Sequence, residues 1–571
     1  MIEEKRHSLA HLLAIVVLKK YPDTKIAIGP AIDNGFYYDF EFSEKFEEKN
    51  LAKLEKNIKK LISQKLEFKK EEISKKEALE LFKDQPYKLE LLEDLDKPII
   101  YRTEDFVDLC EGPHIKNTSE LNPNAFKLTR VAGAYWKGDE KNKMLTRIYG
   151  LAFETKEELE KHLEMLEEAE KRNHRKIGKE MELFVNLPEV GQGLPIWLPK
   201  GYAMRRVLED YMLKMERSYG YEHLLSPHIN KAELFETSGH LGFYKESMYA
   251  PLEIDNETFY LKPMNCPVAM MIYKMKPKSY KNLPIKWGEL GTVYRYEKSG
   301  ELHGLQRVRG FTQNDAHIFC TDEQLEDQFL EVLEMLEKFY KDLGFDNYTY
   351  RLSLSGDDKC KYVGETKDWD KAEEILRKVL IKSGVKFREE KDEAAFYGPK
   401  LDVQAINVFG KEDSISTIQI DFNLSERFNL EYIDSNGEKQ RPFVIHRALI
   451  GSFERFFAFL IEYYAGKFPT WIAPVQIKVL SISDKHKEYA QEIYKKLLAE
   501  DFRVELDIDD ESLGKKIRNA KIEKVPYILV LGDKELEDKK ITVENRERGN
   551  EGVSLLDEFI EKIQKEIISK S

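Results

Sequence analysis

"LGTVYRYEKSGELHGLQRVRGFTQNDAHIFC", residues 290–320, decides how the chain folds. It opens as a strand, crosses a polar loop with two glycines and returns as a strand, which predicts a long antiparallel hairpin. Period-two alternation puts Arg295 and Glu297 on one strand face, and Arg307 stands on the return. Arginines beside an acid on a hairpin suit a polyphosphate, because each guanidinium fork pairs with two oxygens at once. An isolated Arg-x-Glu is more often a surface ion pair, so the reading needs a second element. "HRALIGSFERFFAFLIE" (446–462) supplies it: Gly451, Glu454 and Arg455 lead into an apolar helix, where small residues admit a ligand with an arginine beside it.

Around these stretches, residues 180–470 form the largest block, with long amphipathic helices, aromatic-rich strands and Gly/Pro punctuation. A different pattern begins after "FPTWIAPVQ" (468–476). "IKVLSIS", a helix over Lys485–Glu500, "FRVELDI", a helix near Leu513–Lys524 and "YILVLG" alternate strand with helix, predicting a small α/β domain with a largely parallel sheet. At the other end, residues 1–150 mix short strands and helices. There "GPAIDNGFYYDF" (29–40) predicts a hairpin turning at Asn34-Gly35. From Thr155 a helix starts with the capping pair Thr155 and Glu158, carries Leu159, Leu163 and Leu166 on one face, and runs basic to Lys179, as a bridge between domains does. Four segments are therefore expected: 1–152, the linker 153–179, 180–470 and 471–571.

The bulk numbers fit several cores in one chain of 571 residues, 42% hydrophobic and 34% charged. No apolar run reaches membrane-spanning length, and "MIEEKRH" lacks the layout of a signal peptide, so no membrane association is expected. Cys110, Cys266, Cys320 and Cys360 lie far apart and suggest no disulfide framework, which fits a reducing cytoplasm. A net charge of −13 argues against a uniformly basic nucleic-acid binder but not against local basic surface. "KRNHRKIGK" (171–179) is either such a surface or a solvated helix face.

"RHSLAHLLA" (6–14) sets His7 and His11 four residues apart on one helix face. That is the spacing of a zinc-protease helix, but the glutamate base such a site needs after the first histidine is Ser8 here, so that reading fails. "CEGPH" repeats the spacing with Cys110 and His114. By ligand type alone, three histidines and a cysteine are either a second zinc site or a metal-free cluster.

Together the hairpin, the "GSFER" helix and "YGYEHLLSPHI" (219–229) resemble the three signatures of the class II aminoacyl-tRNA synthetases. "KPMNCPV", "LHGLQRVRGFTQNDAHIFC", "FYGPKLD", "STIQIDF" and "VIHRALIGSFERF" are similar, in order and context, to the threonyl-tRNA synthetase family over nearly the whole chain. The resemblance implies an α+β multidomain chain: an N-terminal α+β editing domain, a class II core built on an antiparallel sheet, and a C-terminal α/β anticodon-binding domain. It implies a homodimer that charges tRNA(Thr) with L-threonine using ATP and Mg2+, the first signature forming the dimer interface.

Carried over residue by residue, it puts zinc on Cys266, His317 and His446, and threonine beside Gln313, Asp315 and Tyr397. ATP falls to Arg295 and Glu297, to Arg307 and Arg455 toward the γ-phosphate, to Phe311 stacking on adenine, and to Gln419; Lys400 joins the catalytic group. An open zinc position that takes threonine's amine and hydroxyl rejects valine, since a site built for a polar group can reject its apolar analogue by about 10⁴-fold. Serine lacks only a methyl, worth about 1–3 kcal/mol, so a second hydrolytic site is needed. The resemblance assigns that work to "HSLAH" and "CEGPH" without a metal: His7, His11, Cys110 and His114, joined by Lys88, Tyr101 and Asp108. Arg518 and Glu535 match base-reading positions of the anticodon domain.

Several positions depart from the family pattern. Its usual ubiquitin-like N-terminal domain is expected to be missing, because six residues precede His7. Val268-Ala269 replace a common Gly-His, and Asp413-Ser414 a common Trp-Gln next to the nucleotide. Asp510 and Glu544 replace an asparagine and an arginine, with Arg546 or Arg548 as candidate substitutes for the latter. A catalytically inactive, synthetase-like RNA-binding regulator is the alternative from another class, and a free-standing deacylase a third.

Overall fold

The computed structural model describes every residue except 140, 359, 360, 363, 364 and 571; Cys360 therefore lies outside the described residues. The chain divides into two compact units, Met1–Glu167 and Glu168–Ser571.

The first unit is organised by the helix Ile2–Lys20, whose residues from Ser8 to Val17 are all buried. A helix apolar on every side belongs inside a core. It packs against the helix Leu51–Ser63 and the strand Gly35–Glu41. Gly35–Glu41 pairs antiparallel with Met144–Ala152, which pairs with Phe126–Tyr135. The expected hairpin is present, but Ile32 pairs with Gly35, so its central residues are Asp33 and Asn34. Of these two only Asn34 takes a positive φ, 62°, which asparagine tolerates better than most side chains, and Gly35 is already strand. A second sheet, Lys69–Glu72, Ile99–Thr103 and Phe106–Leu109, sets Tyr101 opposite Asp108.

The basic helix expected from Thr155 to Lys179 is two helices, Lys156–Arg172 and His174–Glu180. Thr155 and Glu158 make the expected capping contacts. The break falls at Asn173, whose side chain accepts from the Arg175 N–H at 3.0 Å and starts the second helix.

The second unit is built on an eight-stranded sheet. In chain order its strands are β1 (Glu222–His223), β2 (Ile285–Tyr294), β3 (Gly310–Cys320), β4 (Tyr348–Leu354), β5 (Phe387–Lys391), β6 (Lys400–Ile406), β7 (Glu412–Asp421) and β8 (Phe443–Ser452). Their order across the sheet is β1-β2-β3-β8-β7-β6-β4-β5, antiparallel except for the outermost pair at each edge. The helix Phe453–Tyr463 follows β8 directly and buries Phe456 and Phe457 beneath the sheet. Each such phenylalanine stabilises the layer by about 1.5–3 kcal/mol.

A five-stranded sheet closes the chain: Val504–Asp507, Ile477–Ser481 and Tyr527–Leu531 run parallel, then Ile541–Asn545 and Gly549–Ser554 antiparallel. The largely parallel sheet expected there is thus parallel in its first three strands only. Ile541–Asn545 and Gly549–Ser554 are joined by the short turn 546–548, too short for the crossover a parallel pair needs.

Candidate active site

Strand β3 carries Gln313, Asp315 and His317 at period-two spacing, so the three side chains share a face. His446 on β8 is the direct register partner of His317. Cys266 arrives from elsewhere, as the first residue of the helix Cys266–Lys274. The Cys266 thiol and one nitrogen of each histidine lie within 4.8 Å of one another, all three residues buried. His317 Nε2 is buried without a hydrogen-bond partner. His446 Nε2 lies 2.9 Å from Asp421 Oδ2, which holds the proton on that nitrogen and leaves Nδ1 as the lone-pair donor. Burial pushes the Cys266 thiol well above its usual range, with the Asp315 and Asp421 carboxylates adding to it, and burial holds His317 well below the histidine range.

A cavity of about 510 Å³ opens beside these residues. Cys266 and His446 line it together with Gln313, Asp315, Tyr397 and Gln419, and Arg295, Lys400 and Arg455 reach it as well. The Tyr397 hydroxyl donates to Gln419, Lys400 Nζ stands 2.8 Å from Asp402, and Asp315 accepts from Asn265 Nδ2 at 3.3 Å. An adjoining cavity of about 130 Å³ is lined by Arg295, Glu297, Arg307, Phe311 and Arg455. The Arg295 guanidinium lies 5.1 Å from the Phe311 ring centre and 5.5 Å from that of Tyr244.

The expectation that Arg295 and Glu297 share a strand face is corrected, because β2 ends at Tyr294. Arg295 still donates its N–H to the Arg309 carbonyl at 2.9 Å, while Glu297 already belongs to the loop. From there Glu297 accepts from Arg307 Nε at 2.8 Å, and Arg307 also meets Glu301 at 3.0 Å. Arg455 Nε donates to the Gln306 carbonyl at 3.2 Å; burial draws its guanidinium below the ordinary value, with Asp413 opposing. Asp413 itself accepts from Gln306 and Asn407, and Ser414 lines both cavities.

In the first unit a second cluster forms. Cys110 Sγ lies 3.3 Å from both His7 Nε2 and His114 Nε2, and Ser8 Oγ is 3.0 Å from His114 Nδ1. His11 Nε2 stands 3.3 Å from Asp108, and the Tyr38 hydroxyl donates to the same oxygen at 2.6 Å. Lys88 Nζ is 2.5 Å from the other Asp108 oxygen, a contact of charge more than of aligned hydrogen bonding, since that oxygen has no well-directed donor. The Tyr101 ring lies 4.4 Å from that of His114. Gly112, at φ +81°, lets the loop pass Tyr101, whose hydroxyl a Cβ there would meet at 2.4 Å. Burial lowers His7, His11 and His114 below the ordinary histidine value and pushes the Cys110 thiol up to about 12.

The proposed base readers do not form a cluster. Arg518 is exposed on the helix Leu513–Ile522, while Glu535 accepts from Thr542 at 2.6 Å and from the Gly532 N–H at 2.9 Å. Glu544 pairs with Lys521 at 2.6 Å. Of its candidate substitutes, Arg548 binds Glu551 at 2.6 Å, and Arg546 pairs with Glu547 at 2.8 Å and gives the rest of its guanidinium to backbone carbonyls.

Sequence reading missed Asp421, Asn265, Ser8 and Tyr38. Asp421 sits two residues after Gln419 on β7, which places both on one face, and Ser8 lies between the two helix histidines. Tyr38 had no sequence signal, because the sheet alone brings it to Asp108.

Comparison with known proteins decides the family. The threonine–tRNA ligase of Geobacillus sp. (strain WCH70) is 46% identical over 98% of this chain and 88% of its own length. Threonine–tRNA ligase 1 of Bacillus subtilis (strain 168) is 48% identical over 98% of this chain and 87% of its own length. This chain belongs to the threonine–tRNA ligase family. Residues 249–464 match the class II tRNA synthetase core domain (G, H, P, S and T), residues 472–566 the anticodon binding domain, and residues 100–149 the threonyl and alanyl tRNA synthetase second additional domain. The crystal structure of the RNA binding domain of threonyl-tRNA synthetase from Cryptosporidium parvum Iowa II superposes with a TM-score of 0.65 at 36% identity, covering 69% of this chain and 98% of that one. The ligase family, its class II core and its editing module agree with the resemblance read from the motifs.

Proposed function

We propose that this chain is a threonine–tRNA ligase that activates L-threonine with ATP, transfers it to the 3′ end of tRNA(Thr) and hydrolyses mischarged seryl-tRNA(Thr). One observation carries this reading: Cys266, His317 and His446 converge, buried, beside a cavity that the signature arginines enter. The donor set fits zinc, with one sulfur and two imidazoles, an unpartnered Nε2 on His317 and a carboxylate fixing His446. Bound zinc would supply an open coordination position for threonine's amine and hydroxyl, which valine cannot fill with a hydroxyl.

The remaining work falls to protein groups. Asp315, Gln313 and Tyr397 orient the amino acid so that its carboxylate faces the α-phosphorus, and Arg295 neutralises the charge that grows there. Arg307 and Arg455 are the γ-phosphate ligands, with Glu297 holding Arg307 in place, and Phe311 and Gln419 bound the nucleotide, which enters with Mg2+. Lys400 adds positive charge at the cavity wall. Attack by the carboxylate forms threonyl-adenylate and releases pyrophosphate; the ribose hydroxyl of the tRNA then takes the acyl group and AMP leaves.

Editing belongs to the first unit. Burial lowers His7, His11 and His114, so their rings are neutral and can accept a hydrogen bond from, and so orient, a water attacking the seryl ester. The tRNA hydroxyl then departs with a proton and free serine is released. Asp108 anchors His11, Lys88 and Tyr38. In this reading residues 1–152 edit, 153–179 link, 180–470 catalyse and 471–571 bind the anticodon, where Arg518 and Glu535 are the proposed readers. A homodimer is supported by the exposed Leu225 and Ile229 beside the two-residue edge strand β1.

The test is ATP–pyrophosphate exchange by zinc-replete protein with threonine, serine and valine offered separately. Strong exchange with threonine, weaker with serine and almost none with valine is the expected order. No exchange with any of them would replace the ligase with an RNA-binding regulator.

A further inference from the structure

A cleft of about 990 Å³ lies in the second unit, shares no lining residue with the core site, and is bordered by residues 463–469 at the end of the core helix and by residues of the C-terminal domain. Lys171, Arg172, Lys467, Lys524 and Lys570 line it, against Glu168 as the one acid. A neighbouring cavity of about 350 Å³ shares Lys467 and Pro469 with it and adds Arg546 and Arg548, with Glu547 and Glu566 opposing. The two cavities adjoin at Lys467 and Pro469, and bases outnumber acids along their combined lining, on a chain whose net charge is −13.

Most of these bases are already neutralised. Arg172 pairs with Glu168 at 2.8 Å and Lys171 with the same carboxylate at 3.8 Å, Lys570 with Asp342 at 3.5 Å, Arg548 with Glu551 at 2.6 Å and Arg546 with Glu547 at 2.8 Å. Lys467 and Lys524 have no carboxylate within ion-pair distance among the described residues. Lys524 is half-buried, and burial lowers its ammonium below the ordinary value, with Lys467 and Arg546 adding to the fall and Glu180 opposing it.

The crowding is held in place by Arg546. Its guanidinium donates to the carbonyl oxygens of Lys524 at 2.7 Å, Phe468 at 2.9 Å and Lys467 at 3.2 Å. One side chain therefore clips together the two backbone segments that carry the unpaired lysines. Like charges fixed side by side, one of them partly dehydrated, make a strong local field for an anion. Two adjoining cavities with bases along both suit a string of phosphates better than a single one.

We propose that this groove holds the phosphodiester backbone of the tRNA, between the part read by the anticodon-binding domain and the end that reaches the core site. The proposal rests on the ligase reading and adds to it a contact surface that carries no base specificity.

The test compares the unaltered protein with the double variant Lys467→Gln/Lys524→Gln. Filter binding of tRNA(Thr) is followed across a salt series, beside threonine-dependent pyrophosphate exchange, which uses no tRNA. Affinity is expected to fall roughly ten-fold at low salt, and the slope of log K against log salt to shrink by about one for each lysine that meets a phosphate. Exchange stays unchanged, and Lys467→Arg/Lys524→Arg binds as the unaltered protein does. An unchanged isotherm and slope overturn the proposal, and so does a parallel fall in exchange, which would make the lysines structural. Titration with inorganic tripolyphosphate separates the sources: lysine-dependent binding of it with tRNA affinity untouched would assign the groove to a small polyanion and overturn the proposal. Failure of threonine-dependent exchange in the unaltered protein counts against the ligase reading alone, and the tRNA isotherm still judges the groove.

Discussion

Two clusters of cysteine and histidine occur in this chain, and they differ in what their polar atoms are doing. In the core site the Cys266 thiol, an unpartnered His317 Nε2 and His446, tied back by Asp421, converge on one point. In the first unit the donor atoms of His7, His11, Cys110 and His114 lie equally close together, but most are engaged: Cys110 contacts two histidines, His114 also contacts Ser8, and His11 leans on Asp108 through Nε2, leaving only its Nδ1 buried without a partner among these groups. Residue type alone leaves the first unit's cluster open between a metal site and a metal-free one. Unspent lone pairs aimed at a shared point favour a cation, whereas a ring of internal contacts favours proton transfer.

Breaking the comparison at its strongest point means removing a core donor. Cys266→Ala or His317→Ala is expected to abolish bound zinc, read by metal analysis, and to lower threonine activation by about 10³-fold or more, because a polar substrate loses the partner built for it. An active, metal-free His317→Ala protein would end the distinction drawn between the clusters. Next in size, Cys110→Ala should slow deacylation of seryl-tRNA(Thr) by about 10²–10⁴-fold while leaving pyrophosphate exchange intact. If chelators inhibit that deacylation in the unaltered protein, the first cluster is a metal site after all.

Asp421→Asn sharpens the comparison from the other side. It keeps the donors and removes the anchor on His446, so zinc affinity should drop by about 10–100-fold in a chelator competition. The smallest effect concerns pH. Burial lowers His7 and His11 below their ordinary 6.5, so they remain neutral in the folded unit while unfolded histidines take up protons below that value. The unfolded state then binds more protons, and the first unit loses stability as pH falls from about 6.5 toward the depressed folded values, with full stability above. A series of melting temperatures from pH 8 to pH 5 checks the sign. Deacylation should correspondingly hold level across pH 6–8 instead of falling with a midpoint near 6.5.

Much of the site was legible because its chemistry is concentrated in short motifs whose spacing sets the geometry. Gln313, Asp315 and His317 alternate, so a strand must present them together, and His7 with His11 occupy one helix face for the same kind of reason. What stayed hidden depends on partners distant in sequence. Nothing local joins Tyr38 to Asp108, 70 residues apart, or Arg546 to the Lys467 carbonyl, 79 residues apart. Local boundaries were misread where one residue changes the outcome. Asn173 splits a helix that periodicity runs straight through, and a strand ending at Tyr294 moves Glu297 into a loop where it can grip Arg307. In the C-terminal domain, alternation of strand and helix predicted the parallel half of the sheet and gave no notice of the closing hairpin.

The direct pairing of His317 with His446 across β3 and β8 also makes the core site a gauge of strand register. A slip of one residue between these strands would send one imidazole to the opposite face of the sheet and part the two donors. Chains that fold with shifted pairing would then lack the converged donor set, however compact they become. If the site takes the proposed zinc, zinc content per chain would report the fraction of molecules whose central strands are correctly aligned.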